Sequence, residues 1–368
     1  MPQQGFHSKL PVPTHDEAAR ENYSVTFRNM VMNAIPDGER LVYERRAVPV
    51  FEKEHGRRPR TRHEARKLME RDPYGQMSSA LRRLSQEVLW DTVSDSIERD
   101  LPGLVARARK TRSGRTRGSL ELTPGTEIPR YVGAVDIHAM PGNYDEERTA
   151  DDVFAGALYD RGVFLRYGGA RGPYNERIGT QIADWIRANY PSLKPRRILE
   201  MGCAVGGTAV GLAAAMPAAE VHAIELGAPM LRYAHARAES IGTPVHFAQR
   251  NAEHTGWADG HFDVIYSFAL MHETSTTACQ NILKESHRLL APGGLMLHLD
   301  IPAWKHLDPL DAARMDWDTH YNAEPFIGKL GDLDTDAVMQ KAGFRADQFV
   351  EVRLPGAKYP SSRFAARK

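Results

Sequence analysis

The sequence predicts an α/β protein in which a mainly helical N-terminal domain precedes a doubly wound, mostly parallel sheet. After residue 197, short apolar runs alternate with stretches of helical periodicity, as in the βαβ units of a parallel sheet. Before about residue 130 the chain is polar, and its apolar residues recur at helical spacing. The length of 368 residues agrees with two or three domains of about 150 residues each.

The helical domain is expected to span residues 1–130. Thr61 followed by Glu64 fits the capping box of a helix start. A long amphipathic helix is predicted from about residue 73 to residue 98, and the sequence Asp-Leu-Pro-Gly at 100–103 is expected to end it. This domain contains no cofactor motif, so the chemistry is expected downstream.

The second half of the chain supplies the predicted strands. Five apolar runs are expected to form them, at 197–201, 221–225, 244–248, 262–266 and 294–299. In a doubly wound sheet, ligands bind beyond the carboxyl ends of the strands. The residues that follow each strand are therefore the first candidates for a functional site.

A glycine-rich turn follows the first of these strands. Glu200 is near the strand end, and the small residues Gly202, Ala204 and Gly206 allow the backbone to lie close to a ligand. The turn alone also fits a dinucleotide fingerprint in which the middle glycine is replaced. Glu200 argues against a nicotinamide-dependent oxidoreductase, because its carboxylate would repel a pyrophosphate. The methyl group of Ala204 is expected to require an ordinary negative φ.

The later strand ends add polar groups in a regular order. Glu225 ends the second strand, where a carboxylate can accept both hydroxyls of a ribose. Asn251, Ala252 and Glu253 follow the third strand and could contact the edge of an adenine. The fourth strand leads into Ser-Phe-Ala-Leu-Met-His-Glu at 267–273, and Leu-Leu-Ala-Pro-Gly-Gly turns the chain into the fifth strand.

Taken in this order, the residues over about 175–368 resemble the class I S-adenosylmethionine-dependent methyltransferases. The resemblance implies a seven-stranded Rossmann-like sheet in a catalytic domain at 178–368, after a lid-like connecting segment at 131–177. It implies S-adenosyl-L-methionine as the cofactor, with Glu200 helping to hold the amino group of its methionine part. Ala204 departs from the family pattern, in which glycine is usual at this position.

The resemblance places the cofactor against the strand ends. Three of the candidate residues also have plainer explanations: Cys203 as a small turn residue, Met230 as a core residue and Glu253 as a surface charge. Cofactor contact is expected for Glu200, Gly202, Cys203, Ala204, Gly206, Glu225, Leu226, Met230, Asn251, Ala252, Glu253 and Phe268.

Methyl transfer needs an acceptor in line with the sulfonium, and an oxygen or nitrogen acceptor can also need a general base. We predict His272 as that base, because an imidazole with an ordinary pKa near ~6.5 accepts a proton at neutral pH. Glu273 could orient its ring, and His138 is the second candidate for the base. Tyr159 is a further catalytic candidate, in the segment expected to close over the cofactor. Packing of His272 beneath the cofactor is the alternative.

A small-molecule methyl acceptor is the expected partner. Lys plus Arg is 48 and Asp plus Glu is 47, so no overall charge attracts the chain to nucleic acid. The basic segments 56–67 and 107–117 leave an RNA or protein methyltransferase as one alternative, and a catalytically silent cofactor-binding scaffold is another. The N-terminal domain is expected to contribute to the acceptor pocket or to a homodimer.

Composition sets the remaining expectations. Cys203 and Cys279 are the only cysteines, so neither a disulfide framework nor a metal centre is predicted. The first thirty residues contain no apolar signal region, and no run of eighteen apolar residues occurs. No membrane contact is therefore expected, and the cytoplasm is the expected location.

Overall fold

The computed structural model describes residues 3–5, 7–357 and 359–368. Its N-terminal helices are α1 (His15–Asn33), α2 (Ile35–Val42), α3 (Val48–His55), α4 (Arg62–Arg71) and α5 (Pro73–Ser113). Its later helices are α6 (Arg130–Gly133), α7 (Phe154–Arg166), α8 (Arg177–Asn189), α9 (Gly207–Ala215), α10 (Ala228–Ile241), α11 (Thr276–Leu289), α12 (Pro309–Tyr321), α13 (Ile327–Asp332) and α14 (Thr335–Lys341). Its strands are β1 (Ser119–Glu121), β2 (Arg197–Met201), β3 (Glu220–Glu225), β4 (His246–Gln249), β5 (Phe262–Phe268), β6 (Leu290–Leu299) and β7 (Ser362–Arg367).

The seven described strands form one sheet in the order β1-β4-β3-β2-β5-β6-β7. Only β7 is antiparallel to its neighbour, β6. Successive side chains of a strand face opposite sides of a sheet. Ile198 accordingly packs in one core with residues of α8, α9 and α10, whereas Leu199 packs in another core with residues of α11 and α14. The predicted doubly wound, mostly parallel sheet is confirmed.

The edge strand β1 lies within the range 1–130 that the sequence assigned to a helical domain. It pairs in parallel with β4, from Ser119 beside His246 to Glu121 beside Ala248. The carboxylate of Glu239 on α10 accepts hydrogen bonds from the backbone N–H of Gly118, at 2.7 Å, and of its preceding residue. A three-residue strand is too short to show the alternation of apolar and polar residues by which strands are recognised. The sequence therefore does not reveal that this region adds an edge strand to the sheet.

Helix α5 runs past the point where the sequence predicted its end. Pro102 lacks an N–H group and costs about 3 kcal/mol inside a helix. Leu104 and Val105 lie beyond it, buried in the same core as Ile97. Burial of such side chains contributes about 1.5–3 kcal/mol each, which offsets the cost of the proline. The predicted end at 100–103 is therefore wrong, and the helix extends to residue 113.

The N-terminal helices pack against the segment that follows β6. Thr61 and Glu64 form the predicted capping box, with the Thr61 Oγ1 accepting from the Glu64 N–H at 3.2 Å. The helix that this box begins, α4, and its neighbour α5 form ion pairs with α12: Arg62 with Asp316 at 3.0 Å, and Arg82 with Asp318 at 2.9 Å. These contacts fix the insert after β6 relative to the sheet.

No helix among the described residues is both long enough and apolar enough to cross a bilayer.

Candidate active site

A cavity with about 710 Å³ of empty space, part of it open to solvent, lies at the carboxyl ends of β2, β3, β4 and β5. The strand ends supply one wall, and the segment at 131–159 supplies the other. Its lining residues are Tyr131, Val132, Ile137, Tyr144, Tyr159, Gly202, Ala204, Ile224, Glu225, Leu226, Arg250, Asn251, Ala252, Phe268, Ala269, Leu270, Glu273, Thr274 and Ile282.

The glycine turn after β2 takes positive φ at three positions. Gly202 has φ 68°, and a Cβ there would lie 2.6 Å from a methyl group of Leu270. Gly206 has φ 69°, and a Cβ there would lie 2.8 Å from the Phe247 ring. The lack of a side chain at Gly206 therefore leaves room for this ring. Ala204 has φ 45°, which corrects the expected negative value. This conformation costs about 1–2 kcal/mol.

Glu225 fixes the strained Ala204 from the neighbouring strand. Its Oε2 accepts from the Ala204 N–H at 3.1 Å, and its Oε1 accepts from the Leu226 N–H at 2.7 Å. Burial raises the pKa of the Glu225 carboxyl, although these backbone N–H groups oppose the change. The acid at the end of β3 therefore borders the cavity and also shapes the turn that faces it.

The segment after β4 is divided between the cavity and the packing around it. Asn251 and Ala252 border the cavity. The carboxylate of Glu253 instead accepts hydrogen bonds from the hydroxyl of Tyr131 at 2.9 Å and from the side-chain amide of Asn281 at 2.8 Å. Glu253 therefore acts on the cavity wall through Tyr131, which itself lines the cavity.

Five of the twelve expected cofactor residues do not border the cavity: Glu253, Glu200, Cys203, Met230 and Gly206. Glu200 is 2% exposed, and burial raises the pKa of its carboxyl to about 8 although the Tyr266 hydroxyl opposes the change. Cys203 and Met230 are buried in two different cores, and Gly206 is the N-cap residue that precedes α9. Of the twelve, the structure brings Gly202, Ala204, Glu225, Leu226, Asn251, Ala252 and Phe268 to the cavity.

The catalytic candidates, two from the segment after β5 and two from residues 131–159, lie close together. Glu273 and Tyr159 border the cavity, and the hydroxyl of Tyr144 donates to the Glu273 Oε1 at 2.9 Å. His138 and His272 lie behind Glu273, with their Nε2 atoms 3.2 Å and 3.9 Å from the same Oε1 atom. The structure thus brings all four expected catalytic residues together, but only two of them face the cavity.

Each of the two imidazoles is held by a buried carboxylate. His272 Nδ1 lies 2.7 Å from Asp300 Oδ1, and His138 Nδ1 lies 2.5 Å from Glu324 Oε1. Burial opposes the charged form, but Asp300, Glu324 and Glu273 together raise the pKa of His272 to about 10. Glu324 and Glu273 likewise raise the pKa of His138 to about 9.

The raised pKa values correct the expectation for His272. An imidazole with this pKa keeps its proton at neutral pH, so it cannot accept one from an acceptor. The expected pKa near ~6.5 took no account of Asp300 and Glu324. Asp300 follows β6, so its position at a strand end was a usable signal. Glu324 lies in the insert after α12, and no sequence pattern marks it.

The fold and the cavity together define the class of this part of the chain. The sheet is mostly parallel with a reversed last strand, and a glycine turn after β2 and an acid at the end of β3 face a cavity beyond the strand ends, where doubly wound sheets bind their ligands. A family model described as "Methyltransferase domain" matches residues 198–294. Residues 198–294 therefore form a class I S-adenosylmethionine-dependent methyltransferase domain, whose cofactor is S-adenosyl-L-methionine.

Known proteins match this domain over part of their length. Demethylmenaquinone methyltransferase of Thermus thermophilus is 33% identical over 109 residues, which are 29% of this chain and 48% of the relative. Malonyl-(acyl-carrier protein) O-methyltransferase of Enterobacter lignolyticus is 28% identical over 144 residues, 39% of this chain and 52% of the relative. The chain spans about half the length of these curated relatives.

Among solved structures, phosphoethanolamine N-methyltransferase 2 of Haemonchus contortus in complex with S-adenosyl-L-methionine is similar at 20% identity and a TM-score of 0.38. The similarity covers 51% of this chain and 42% of that one.

Proposed function

We propose that this chain transfers a methyl group from S-adenosyl-L-methionine to a small organic acceptor bound in the cavity. One observation carries the proposal: Glu225, at the end of β3, and Glu273, after the end of β5, border the same cavity. Glu225 is suited to binding the ribose of the cofactor, and Glu273 is suited to facing the methyl acceptor. The cavity would therefore offer one wall to each partner of a methyl transfer.

The cofactor side is assigned to residues from four strand ends. Glu225 would accept hydrogen bonds from the ribose hydroxyls, and Asn251 and Ala252 would contact the adenine. Gly202 leaves the backbone open toward the methionine part. Bound S-adenosylmethionine supplies a sulfonium methyl that a nucleophile attacks in line, so positioning can contribute up to about 7–11 kcal/mol. Glu200 is 2% exposed, and one of its carboxylate oxygens has no hydrogen-bond partner. We therefore keep it as the group that would accept from the amino group of the methionine part.

The acceptor side is assigned to residues 131–177 together with Glu273. Tyr144 and Tyr159 are in ring contact, with centroids 5.9 Å apart, and both border the cavity. They could orient an acceptor and keep water from the sulfonium. The N-terminal domain would act on this side indirectly, because Gln86 and Trp90 of α5 both donate to the His138 carbonyl at 3.0 Å.

A small organic acceptor is favoured over RNA by the pairing of the basic segments. Most arginines of 56–67 and 107–117 lie within hydrogen-bonding distance of a carboxylate, which leaves little free positive charge for phosphates. The names of the two relatives, which methylate a demethylmenaquinone and a carrier-bound malonyl group, point the same way. The pairs are Arg57–Glu64, Arg58–Glu44, Arg62–Asp316, Arg66–Glu70, Arg107–Asp100, Arg109–Asp151 and Arg112–Asp151.

Calorimetric titration with S-adenosylmethionine, S-adenosylhomocysteine and NADH tests the cofactor assignment. We expect the first two to bind the wild type and NADH not to bind. Glu225→Ala should weaken binding about 10- to 100-fold, because it removes charge-assisted hydrogen bonds. Glu220→Ala is the matched control, since Glu220 is exposed at the opposite end of the same strand. Binding of NADH, or of neither sulfur nucleoside, would overturn the proposal.

A further inference from the structure

Three side chains, one bordering the cavity and two behind it, bring possible ligand atoms close together. His138 Nε2, His272 Nε2 and one carboxylate oxygen of Glu273 all lie within 4.8 Å of one another. The two nitrogens are 3.2 Å and 3.9 Å from the Glu273 Oε1. Metal–ligand bonds of about 2.1 Å place neighbouring ligand atoms roughly 3.0–3.5 Å apart. The His138–Glu273 distance falls within this range, and the His272–Glu273 distance exceeds it by about 0.4 Å, so a bound ion would draw the His272 ring inward.

The other nitrogen of each imidazole is already fixed. His272 Nδ1 is 2.7 Å from Asp300 Oδ1, and His138 Nδ1 is 2.5 Å from Glu324 Oε1. Metal-binding histidines commonly use one ring nitrogen for the ion and donate the other N–H to a carboxylate, which orients the ring. His272 has this arrangement, with Nε2 left as the ligand atom, whereas His138 Nδ1 lies at ion-pair distance from Glu324 without a hydrogen bond.

One further feature of this cluster favours a cation. Glu324 is 2% exposed, and its Oε2 has no hydrogen-bond partner although it lies 3.5 Å from His272 Nε2. A buried carboxylate oxygen without a partner is costly, and a coordinated ion would satisfy it.

The backbone at His138 is held in an uncommon conformation. His138 has φ 60° and its neighbour Ala139 has φ 53°. Such conformations cost of order 1–3 kcal/mol each and cluster at functional sites. Two donors from α5 hold the His138 carbonyl, so the surrounding structure maintains the strained turn that directs the ring toward Glu273.

We propose that His138, His272 and Glu273 bind a divalent transition-metal ion, with Glu324 as an additional ligand. Two histidines and a carboxylate leave coordination positions open, and such sites suit Fe²⁺ and related ions. Glu273 also borders the cofactor cavity, so an open position would face the acceptor. This last role rests on the proposed function: the ion would hold an oxygen of the acceptor beside the methyl donor. Metal binding itself does not depend on it.

The test is a titration of chelator-treated protein with Mn²⁺, Zn²⁺ and, without oxygen, Fe²⁺. We expect one equivalent to bind the wild type. His138→Gln and His272→Gln should each weaken binding about 100-fold or more, and Asp300→Asn about 10- to 100-fold. His246→Gln is the matched control, because His246 and His222 lie 3.9 Å and 3.0 Å from Glu220 at the other end of the sheet. It should leave the affinity unchanged.

The same samples are titrated with S-adenosylmethionine, which separates the two proposals. If the wild type binds the cofactor but none of the three ions, the metal site is refuted and the cluster is a buried ion-pair network only. Loss of the ion in His246→Gln but not in His138→Gln would also refute it. Binding of the ion without the cofactor would refute the proposed function alone. Should the histidine variants not fold, pulsed electron paramagnetic resonance of the Mn²⁺-loaded wild type must show imidazole nitrogen couplings, and their absence would refute the site.

Discussion

Two buried polar clusters lie near helix α7, and they differ in how well their charges are matched. In the first, the carboxylate of Asp160 accepts from four side chains: His7 at 3.1 Å, Asn175 at 2.9 Å, Tyr233 at 2.9 Å and Arg237 at 3.0 Å. We call this the Asp160 cluster. The second, called the His138 cluster, consists of His138, His272, Glu273, Asp300 and Glu324.

The Asp160 cluster has one acid and an excess of donors, whereas the His138 cluster has three acids around two imidazoles. Although burial opposes ionisation, Arg237 and His7 hold the pKa of Asp160 below its ordinary value. The negative charge of Asp160 is therefore balanced without any ligand. Its hydrogen bonds join the N-terminal segment, α7 and α10. In the His138 cluster three acids face two imidazoles beside the Arg166 guanidinium, and the ligand atoms of His138, His272 and Glu273 converge at the cavity wall. We infer from this position that the first cluster stabilises the fold and that the second is suited to binding.

The largest effect is expected at Asp160. Asp160→Asn keeps the shape of the side chain but leaves Arg237 as an uncompensated buried charge, so the free energy of unfolding should fall by about 3–5 kcal/mol. Urea denaturation measures it. Asp184→Asn is the control, because the Asp184–Arg187 pair is exposed and should contribute less than about 1 kcal/mol.

The matched change in the second cluster sharpens this contrast. Glu324→Gln in chelator-treated protein should cost clearly less than Asp160→Asn, because Asp300 and Glu273 remain beside the imidazoles. Equal losses in the two variants would show that both clusters serve stability alike.

A smaller effect is expected at Gly162, which connects α7 to the His138 cluster. A Cβ at Gly162 would lie 2.2 Å from the Trp90 ring, and the Trp90 indole donates to the His138 carbonyl at 3.0 Å. Gly162→Ala should cost about 1–3 kcal/mol of stability through overpacking. It should also weaken metal binding about tenfold, because it displaces a group that supports a ligand.

Gly133→Ala is the control for this substitution. Its Cβ would be 3.5 Å from the nearest atom, at ordinary van der Waals distance, so both stability and metal affinity should stay the same. If Gly162→Ala loses stability but keeps full metal affinity, α5 does not position His138.

The cofactor side was predictable because its residues follow consecutive strands. Parallel strands bring their carboxyl ends to one edge of the sheet, so the order of residues in the chain was enough to place Glu225 and Asn251 there. The expectation that failed on this side concerned the backbone of Ala204. Its methyl group alone favours a negative φ, but the Glu225 carboxylate accepts a hydrogen bond from the Ala204 N–H and so holds this residue in the left-handed conformation.

The His138 cluster could be predicted only in part. His138, His272 and Glu273 were identified singly, but their convergence depends on packing that no spacing reveals. Glu324 reaches them because α4 and α5 hold α12 through ion pairs between residues far apart in the chain. The charge on His272 follows from Asp300 and Glu324, so its protonation could not be inferred from the histidine itself.

The smallest expected effect concerns a third polar group, in which an exposed arginine covers a glutamate that is 6% exposed. Glu17 accepts from Arg99 at 2.8 Å and caps α1 through the Thr14 N–H at 2.7 Å. The Arg99 guanidinium, chiefly, lowers the pKa of Glu17 to about 2 from an ordinary value of 4.5. A depressed folded-state pKa stabilises the protein above pH 4.5, and this contribution is lost as the pH falls toward 2.

Because Arg99 is 44% exposed, screening by water limits this contribution to about 1 kcal/mol. Glu17→Gln should therefore be less stable than the wild type by about that amount at pH 7, and the difference should narrow between pH 4.5 and pH 3. Urea denaturation across this range, repeated in 1 M salt, measures both dependences. Salt should shrink the Glu17 effect, since the Debye length falls to about 3 Å, but should leave the Asp160→Asn loss nearly unchanged. If the stability loss of Glu17→Gln is the same in 1 M salt and at pH 3, the Glu17–Arg99 pair is shielded from solvent like the two buried clusters, and this prediction is wrong.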